Sequence, residues 1–284
     1  MDTIGDEVSS KRMIIWSGHS DIGRFRSSNE DAFIALKVNE EGVFRLGKLG
    51  EDSNTNGDYV FAVSDGMGGA NAGNFASQIV VDQIALLFPG VFDPQVDGST
   101  VSYKAILSQL LNNMHNAIID LGRSYSELEG MGSTLSLCWV RKDRIYIGHI
   151  GDSRIYHLDA SSKLSQLSED HTHVAWLLSK GDISEYEARI HPARNQLQQV
   201  IGGKNQHLKP QFAELPLSGK DRFLICSDGL TEGLFDSAIH RSLKYEAPVF
   251  IDEQDNLARN LVDQAVVEDG KDNTTALCFE VTVD

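Results

Sequence analysis

The chain has 284 residues, 41% hydrophobic and 23% charged, with a formal net charge of −16. That apolar share supports a sizeable core, in one large domain or two small ones, and argues against disorder. The acidic balance without any run of Lys or Arg argues against a nucleic-acid partner, no apolar run reaches the ~18–20 residues of a membrane helix, and the acidic start Met1-Asp-Thr-Ile-Gly-Asp-Glu lacks the hydrophobic stretch of a secretory signal. Cys138, Cys226 and Cys278 stand singly in apolar runs with no CxxC pair. They read as buried thiols of a cytosolic protein, not as disulfides or zinc ligands.

In chain order, residues 12–18 and 32–38 predict strands, separated by the polar, irregular stretch SDIGRFRSSNED at 20–31. Residues 39–57, rich in Gly, Asn, Asp and Glu, predict a hairpin excursion before a strand at 58–64. Two helices follow. Phe75, Ile79, Val80, Ile84 and Leu87 mark the apolar face of the first. In the second, Leu107, Leu110, Leu111, Met114, Ile118 and Leu121 recur at three and four, and Gly122 suits its C-terminal cap.

A β meander comes next, with STLSLCWV, RIYIGHI and RIYHL joined by turns at 141–143 and 151–153. Such short connections require antiparallel neighbours. Residues 168–200 predict a small helical insertion, in which Gly181 closes one helix and Ser184 with Glu187 forms a capping box for the next. A strand at 222–226, a helix near 255–268 and the last strand TTALCFEVTV complete the chain. Grouped strands with segregated helices give an α+β fold, a central antiparallel β-sandwich flanked by helices.

Within this frame six acids fall at predicted strand ends: Glu30, Asp31, Asp65, Asp152, Asp228 and Asp272. Asp65 and Asp228 both lie in Ser-Asp-Gly after an apolar run. Any one of them alone is an ordinary turn former. Together, on one rim of a sandwich, they repel unless protonated or bound to cations. Oxygen ligands without His or Cys select Mg²⁺ or Mn²⁺, and the approachable carbonyl of Gly66 adds a further ligand. Two such cations activate a water for displacement on phosphorus. Arg26, five residues before Asp31, carries the fork that matches phosphate oxygens.

Read in order, RSSNED (26–31), DGMGG (65–69), GST (132–134), GDSR (151–154), SDGL (227–230) and DNTT (272–275) resemble the metal-dependent protein Ser/Thr phosphatases, the PPM or type 2C family, over about residues 17–283. The compact bacterial members, with Met after the first Asp-Gly, are the nearest likeness. The resemblance implies a single phosphatase domain over 1–284, with a mobile flap near 171–200 that affects substrate choice. It implies that Asp65 bridges two Mn²⁺ or Mg²⁺ ions and Gly66 gives its carbonyl to the first. Asp228 and Asp272 hold the second, Glu30 and Asp31 act through bound waters, and Asp152 joins Asp228 around a third ion. Arg26 matches the phosphate-binding arginine.

The implied substrates are phosphoserine and phosphothreonine in proteins, and the implied partners are phosphorylated proteins and a cognate Ser/Thr kinase, with no nucleic acid and no membrane. Two other readings stand beside it, a pseudophosphatase that binds phosphoproteins without turnover and a two-metal nuclease. The retained Asp65, Asp228 and Asp272 oppose the first, and the acidic balance opposes the second. One departure touches mechanism. Met67 stands where many eukaryotic relatives have His as proton donor, which leaves a metal-bound water, the favoured reading, or a flap group such as His171. His149 is expected in the core, and His171, His173 and His191 on the flap surface. The segment ANAGN (70–74) also departs from the common His-x-Ala-Gly-Glu pattern without removing a ligand.

Overall fold

The computed structural model describes residues 12–53, 57–68, 72–87, 102–204, 207–244, 246 and 248–283. The acidic start and Gly69 to Asn71 lie outside the described residues. The strands are β1 (Arg12–Asp21), β2 (Asp31–Asn39), β3 (Gly42–Arg45), β4 (Leu49–Asp52), β5 (Asp58–Met67), β6 (Gly132–Ser133), β7 (Leu135–Arg141), β8 (Arg144–Ile150), β9 (Arg154–Leu158), β10 (Leu164–Gln166), β11 (Ile201–Gly202), β12 (Gln211–Pro216), β13 (Lys220–Cys226) and β14 (Thr274–Val283). The helices are α1 (Ala72–Leu87), α2 (Tyr103–Ser124), α3 (His173–Lys180), α4 (Glu185–Ile190), α5 (Asp228–Gly233), α6 (Asp236–Leu243) and α7 (Leu257–Glu268).

Two sheets form, and every strand pairing in them is antiparallel. One has the order β10-β9-β13-β14-β1-β4; the other runs β11-β6-β5-β7-β8-β12, with β2 on β5 and β3 on β2. Side-chain alternation in β5 shows why both faces are apolar. Tyr59, Phe61 and Val63 face the other sheet, where Phe61 stacks on Phe279 at 4.3 Å. Val60 and Ala62 face α1 and α2, among Val80, Ile84, Leu107 and Leu111. A third apolar layer lies between the six-stranded sheet and α5, α6 and α7. The order is helices, sheet, sheet, helices, as the α+β reading anticipates.

Four local expectations are corrected. Residues 39–57 are not a plain hairpin, since β3 pairs with β2 in one sheet and β4 with β1 in the other. Gly122 lies inside α2, which runs on to Ser124 and is capped at Tyr125. Phe75 is 49% exposed, because the buried stripe of α1 runs through Ala72, Ala76, Val80 and Ile84. Asp228 is no strand end but the first residue of α5. The insertion holds: α3 ends on Gly181 in the left-handed region, Ser184 and Glu187 form the capping box, and Thr172 bridges Leu197 to close the excursion at its base. The three cysteines are free and buried. No helix among the described residues is long and apolar enough to cross a membrane.

Candidate active site

Strand register brings the first two acids together. Asp31 opens β2 directly opposite Asp65 on β5, and like charges in that relation repel. Ser227 at the end of β13 answers part of this by donating its hydroxyl to Asp31 Oδ2 at 2.7 Å. The chain then turns into α5. Gly229 permits that turn, since a Cβ there would stand 2.1 Å from the Asn273 carbonyl oxygen. Asp228, at the start of that helix, feels the charge of Asp272.

Asn273 also organises the irregular stretch at 20–31. Its Oδ1 accepts the Glu30 N–H at 2.8 Å, and its Nδ2 donates to the carbonyls of Ile22 and Ser28. Arg26 projects from this wrapped loop and forms an ion pair with Asp272. On the other side, Gly66 and Gly73 face each other. A Cβ on Gly66 would lie 1.9 Å from the Gly73 oxygen, and one on Gly73 would lie 2.8 Å from both Glu30 Oε1 and Gly66 O. The absence of both side chains lets the Glu30 carboxylate and the Gly66 carbonyl share one space.

Asp65 is held by its backbone. Thr134 Oγ1 accepts the Asp65 N–H at 3.0 Å, while Asp65 O accepts the Thr134 N–H and the Ser133 hydroxyl, both at 2.8 Å. Thr134 Oγ1 is also 2.6 Å from Ser153 Oγ, so the turn bearing Asp152 is fastened to the strand bearing Asp65. Ser133, Thr134, Ser227 and Asn273 carry roles that the sequence reading did not assign. Ser227 and Asn273 stand next to Asp228 and Asp272 in the sequence, whereas Ser133 and Thr134 reach Asp65 from 68 and 69 residues away.

The acids act on one another. Burial first, and then the neighbours Asp31, Asp228, Asp152 and Asp272, hold Asp65 well above the usual carboxylate range. Asp228 is raised likewise, by burial and then by Asp152, Asp272, Glu232 and Asp31. Burial pushes Asp31 up to about 6 against the Ser227 hydrogen bond. Burial and then Asp170 push Asp152 to about 7. Asp228 Oδ1 is sealed from solvent with no hydrogen-bond partner. Such an oxygen costs ~1–3 kcal/mol unless a donor or cation meets it. An oxygen-only donor set with an orphaned buried carboxylate fits a hard divalent cation. Among the described residues no three Asp, Glu, His or Cys side chains already form a cage. Arg26 holds Asp272 Oδ2 and Ser227 holds Asp31 Oδ2, while Asp31 Oδ1, like Asp228 Oδ1, is buried without a partner.

The histidines divide differently from expectation. His149 is fully buried between the Ser136 hydroxyl and the Glu169 carbonyl, and burial lowers its pKa to about 3. His171 is not a flap-surface group. Its Nδ1 accepts the Gly151 N–H at 3.1 Å and its own N–H donates to Gly151 O, so it is tied to the turn before Asp152. His173 stacks on Trp176, and His191 Nδ1 accepts the Ala193 N–H, both within the insertion. Met67 is 40% exposed beside the glycines.

A two-sheet sandwich in which Asp31, Asp65, Asp152, Asp228 and Asp272 bear on one another, with Arg26 paired to Asp272, is an arrangement suited to hard cations and a phosphate group. Residues 48–264 match the family model for protein phosphatase 2C, and the chain belongs to that family. It is 31% identical over 265 residues to the serine/threonine phosphatase stp of Listeria welshimeri, covering 89% of this chain and 97% of that one. It is 30% identical over 266 residues to the serine/threonine protein phosphatase PstP of Mycobacterium tuberculosis, covering 94% of this chain but only 45% of that relative's length. The crystal structure of a PstP catalytic domain in complex with two manganese ions superposes with a TM-score of 0.73 at 27% identity, over 95% of this chain and 99% of that one.

Proposed function

We propose that this protein hydrolyses phosphoserine and phosphothreonine on proteins, with Mn²⁺ or Mg²⁺ held by Asp65, the Gly66 carbonyl, Asp228 and Asp272, and with Glu30 and Asp31 as outer ligands. Asp152 and Asp228 would share a third cation. The observation that carries the reading is the crowding of these aspartates around the sealed, unpartnered Asp228 Oδ1. Bound divalent cations supply charge neutralisation of the phosphoryl oxygens and a hydrolytic water of lowered pKa. The chain's own part is positional. Asp65 is fixed by Ser133 and Thr134, and Asp228 by Gly229 against Asn273.

Arg26 supplies the fork for two phosphate oxygens, exchanging the Asp272 carboxylate for substrate. Met67 has no proton to give, and His171 is anchored through Nδ1 to the Gly151 N–H, which leaves its ring proton on Nε2; we take water at the rim as the proton source for the leaving alkoxide. The natural partners are phosphorylated proteins and the Ser/Thr kinase whose work this enzyme reverses, in a reducing cytosol that suits three buried thiols.

The test is phosphate release from p-nitrophenyl phosphate and from a phosphothreonine peptide, in Mn²⁺ and then in EDTA, by wild type and Asp228→Asn. Turnover in Mn²⁺ alone, lost in the variant, is expected. Release that survives EDTA, or none in Mn²⁺, would defeat the reading.

A further inference from the structure

Helix α5 begins with Asp228 and has six residues, too few to hold itself by internal bonds. It is fastened at three places. Gly229 abuts the Asn273 carbonyl at its start, and Gly233 abuts α7, where a Cβ would meet Ala265 O at 2.5 Å. The third fastening comes from the insertion. Arg189 of α4 sends Nη2 to the carbonyls that end α5, at 2.8 Å from Thr231 O, 3.4 Å from Leu234 O and 3.5 Å from Glu232 O. Its guanidinium also lies over the Phe235 ring, 3.8 Å from the centroid.

A cation at the C-terminal carbonyls satisfies acceptors the helix cannot satisfy itself, and opposes the helix dipole. Arg194 and Asn195 then reach Glu232 Oε1 at 3.2 and 3.0 Å. Glu232 sits one turn beyond Asp228 on α5, and its charge bears on both Asp228 and Asp152.

Resting on the phosphatase reading for its catalytic side, we propose that Arg189 is a positioning residue, which locks the 172–197 insertion to α5 so that the insertion and the Asp228 carboxylate are held as one body. Arg189 touches neither substrate nor cation. It acts by fixing the end of the helix that presents Asp228, and by linkage cation binding at Asp228 tightens the hold on the insertion.

The experiment compares wild type, Arg189→Ala and Arg189→Lys in three measurements on the full chain. These are Mn²⁺ affinity by titration calorimetry, the rate of limited proteolysis within 172–197 with and without Mn²⁺, and peptide turnover across a Mn²⁺ series. Arg189→Ala should weaken Mn²⁺ binding roughly fivefold to tenfold, at the lower end of measured site-to-site coupling. It should also abolish the protection from proteolysis that Mn²⁺ gives wild type, and lower turnover at limiting Mn²⁺ with recovery at saturation. Arg189→Lys keeps one donor but cannot lie flat on Phe235, so it should fall between the two and serves if the alanine variant folds poorly.

Unchanged Mn²⁺ affinity and unchanged protection would overturn the proposal, whatever happens to the melting temperature. A KM raised equally at all Mn²⁺ concentrations would overturn it too, by making Arg189 a substrate contact. If wild type releases no phosphate yet the variant still loosens Mn²⁺ and the insertion, the phosphatase reading fails and this one stands.

Discussion

Arg26 and Asp272 form an ion pair across the loop that Asn273 organises, so the residue assigned to phosphate also neutralises a carboxylate assigned to metal. Replacing Arg26 by Ala should therefore separate two effects. KM for a phosphopeptide should rise roughly tenfold to a hundredfold, the range expected for losing charge-assisted hydrogen bonds. Half-saturation by Mn²⁺ should not worsen, because Asp272 loses a competing cation; steady-state kinetics across a Mn²⁺ series reads both. A raised Mn²⁺ requirement with unchanged KM would move the phosphate grip elsewhere. Asp65 and Asp228 were legible in the sequence because Ser-Asp-Gly occurs twice after an apolar run, and chance seldom repeats such a context. Ser227, Ser133 and Asn273 were not, because each works through a hydrogen bond between segments 68 to 245 residues apart. No local pattern records such a bond.

Among the elements, α5 was one of those misread. Two glycines in DGLTEG lower helix propensity, and six residues are too short to show a helical period. Both glycines are instead points of close backbone approach, to Asn273 and to Ala265. The long stripes of α2 and the alternation of β7 were legible because burial selects apolar residues over several repeats. The excursion at 39–57 was not, since which sheet a short strand joins depends on partners elsewhere. A Gly229→Ala substitution tests the close approach. Its Cβ would fall 2.1 Å from a backbone oxygen that cannot swing away. Chemical denaturation should show a loss of about 1–3 kcal/mol, typical of an overpacked site. Calorimetry should show weakened Mn²⁺ binding, since Asp228 and Asp272 are pushed apart. A variant as stable as wild type would mean that α5 can begin elsewhere.

For the whole molecule, the crowded acids set a dependence on pH whose sign can be worked out. Asp152 is raised to about 7, and Asp65 and Asp228 are raised well beyond the usual range, all mainly by burial. In the unfolded chain these groups ionise near 3.8, so above that pH the folded protein binds more protons and loses stability as pH rises. Buried His149, lowered to about 3, has the opposite slope, but only below about 6.5, where the unfolded histidine charges. Between about pH 6.5 and 8 the acids act alone. Melting in EDTA should thus move to lower temperature across that window, and Mn²⁺ should raise it more at pH 8 than at pH 6.5. A flat profile in EDTA would mean the carboxylates are not crowded.

The six-stranded sheet has one more consequence, for biosynthesis. Its centre is β14, flanked by β1 and β13, so a strand from near the beginning of the chain waits for residues 274–283 before its main neighbour exists. Asp272 and Asn273 arrive with that same late segment. A nascent polypeptide still lacking it has β1 unpaired along most of its length and its cation site without one wall. On the phosphatase reading proposed above, such a polypeptide gains activity only after residues 272–283 have emerged and β14 has paired with β1 and β13.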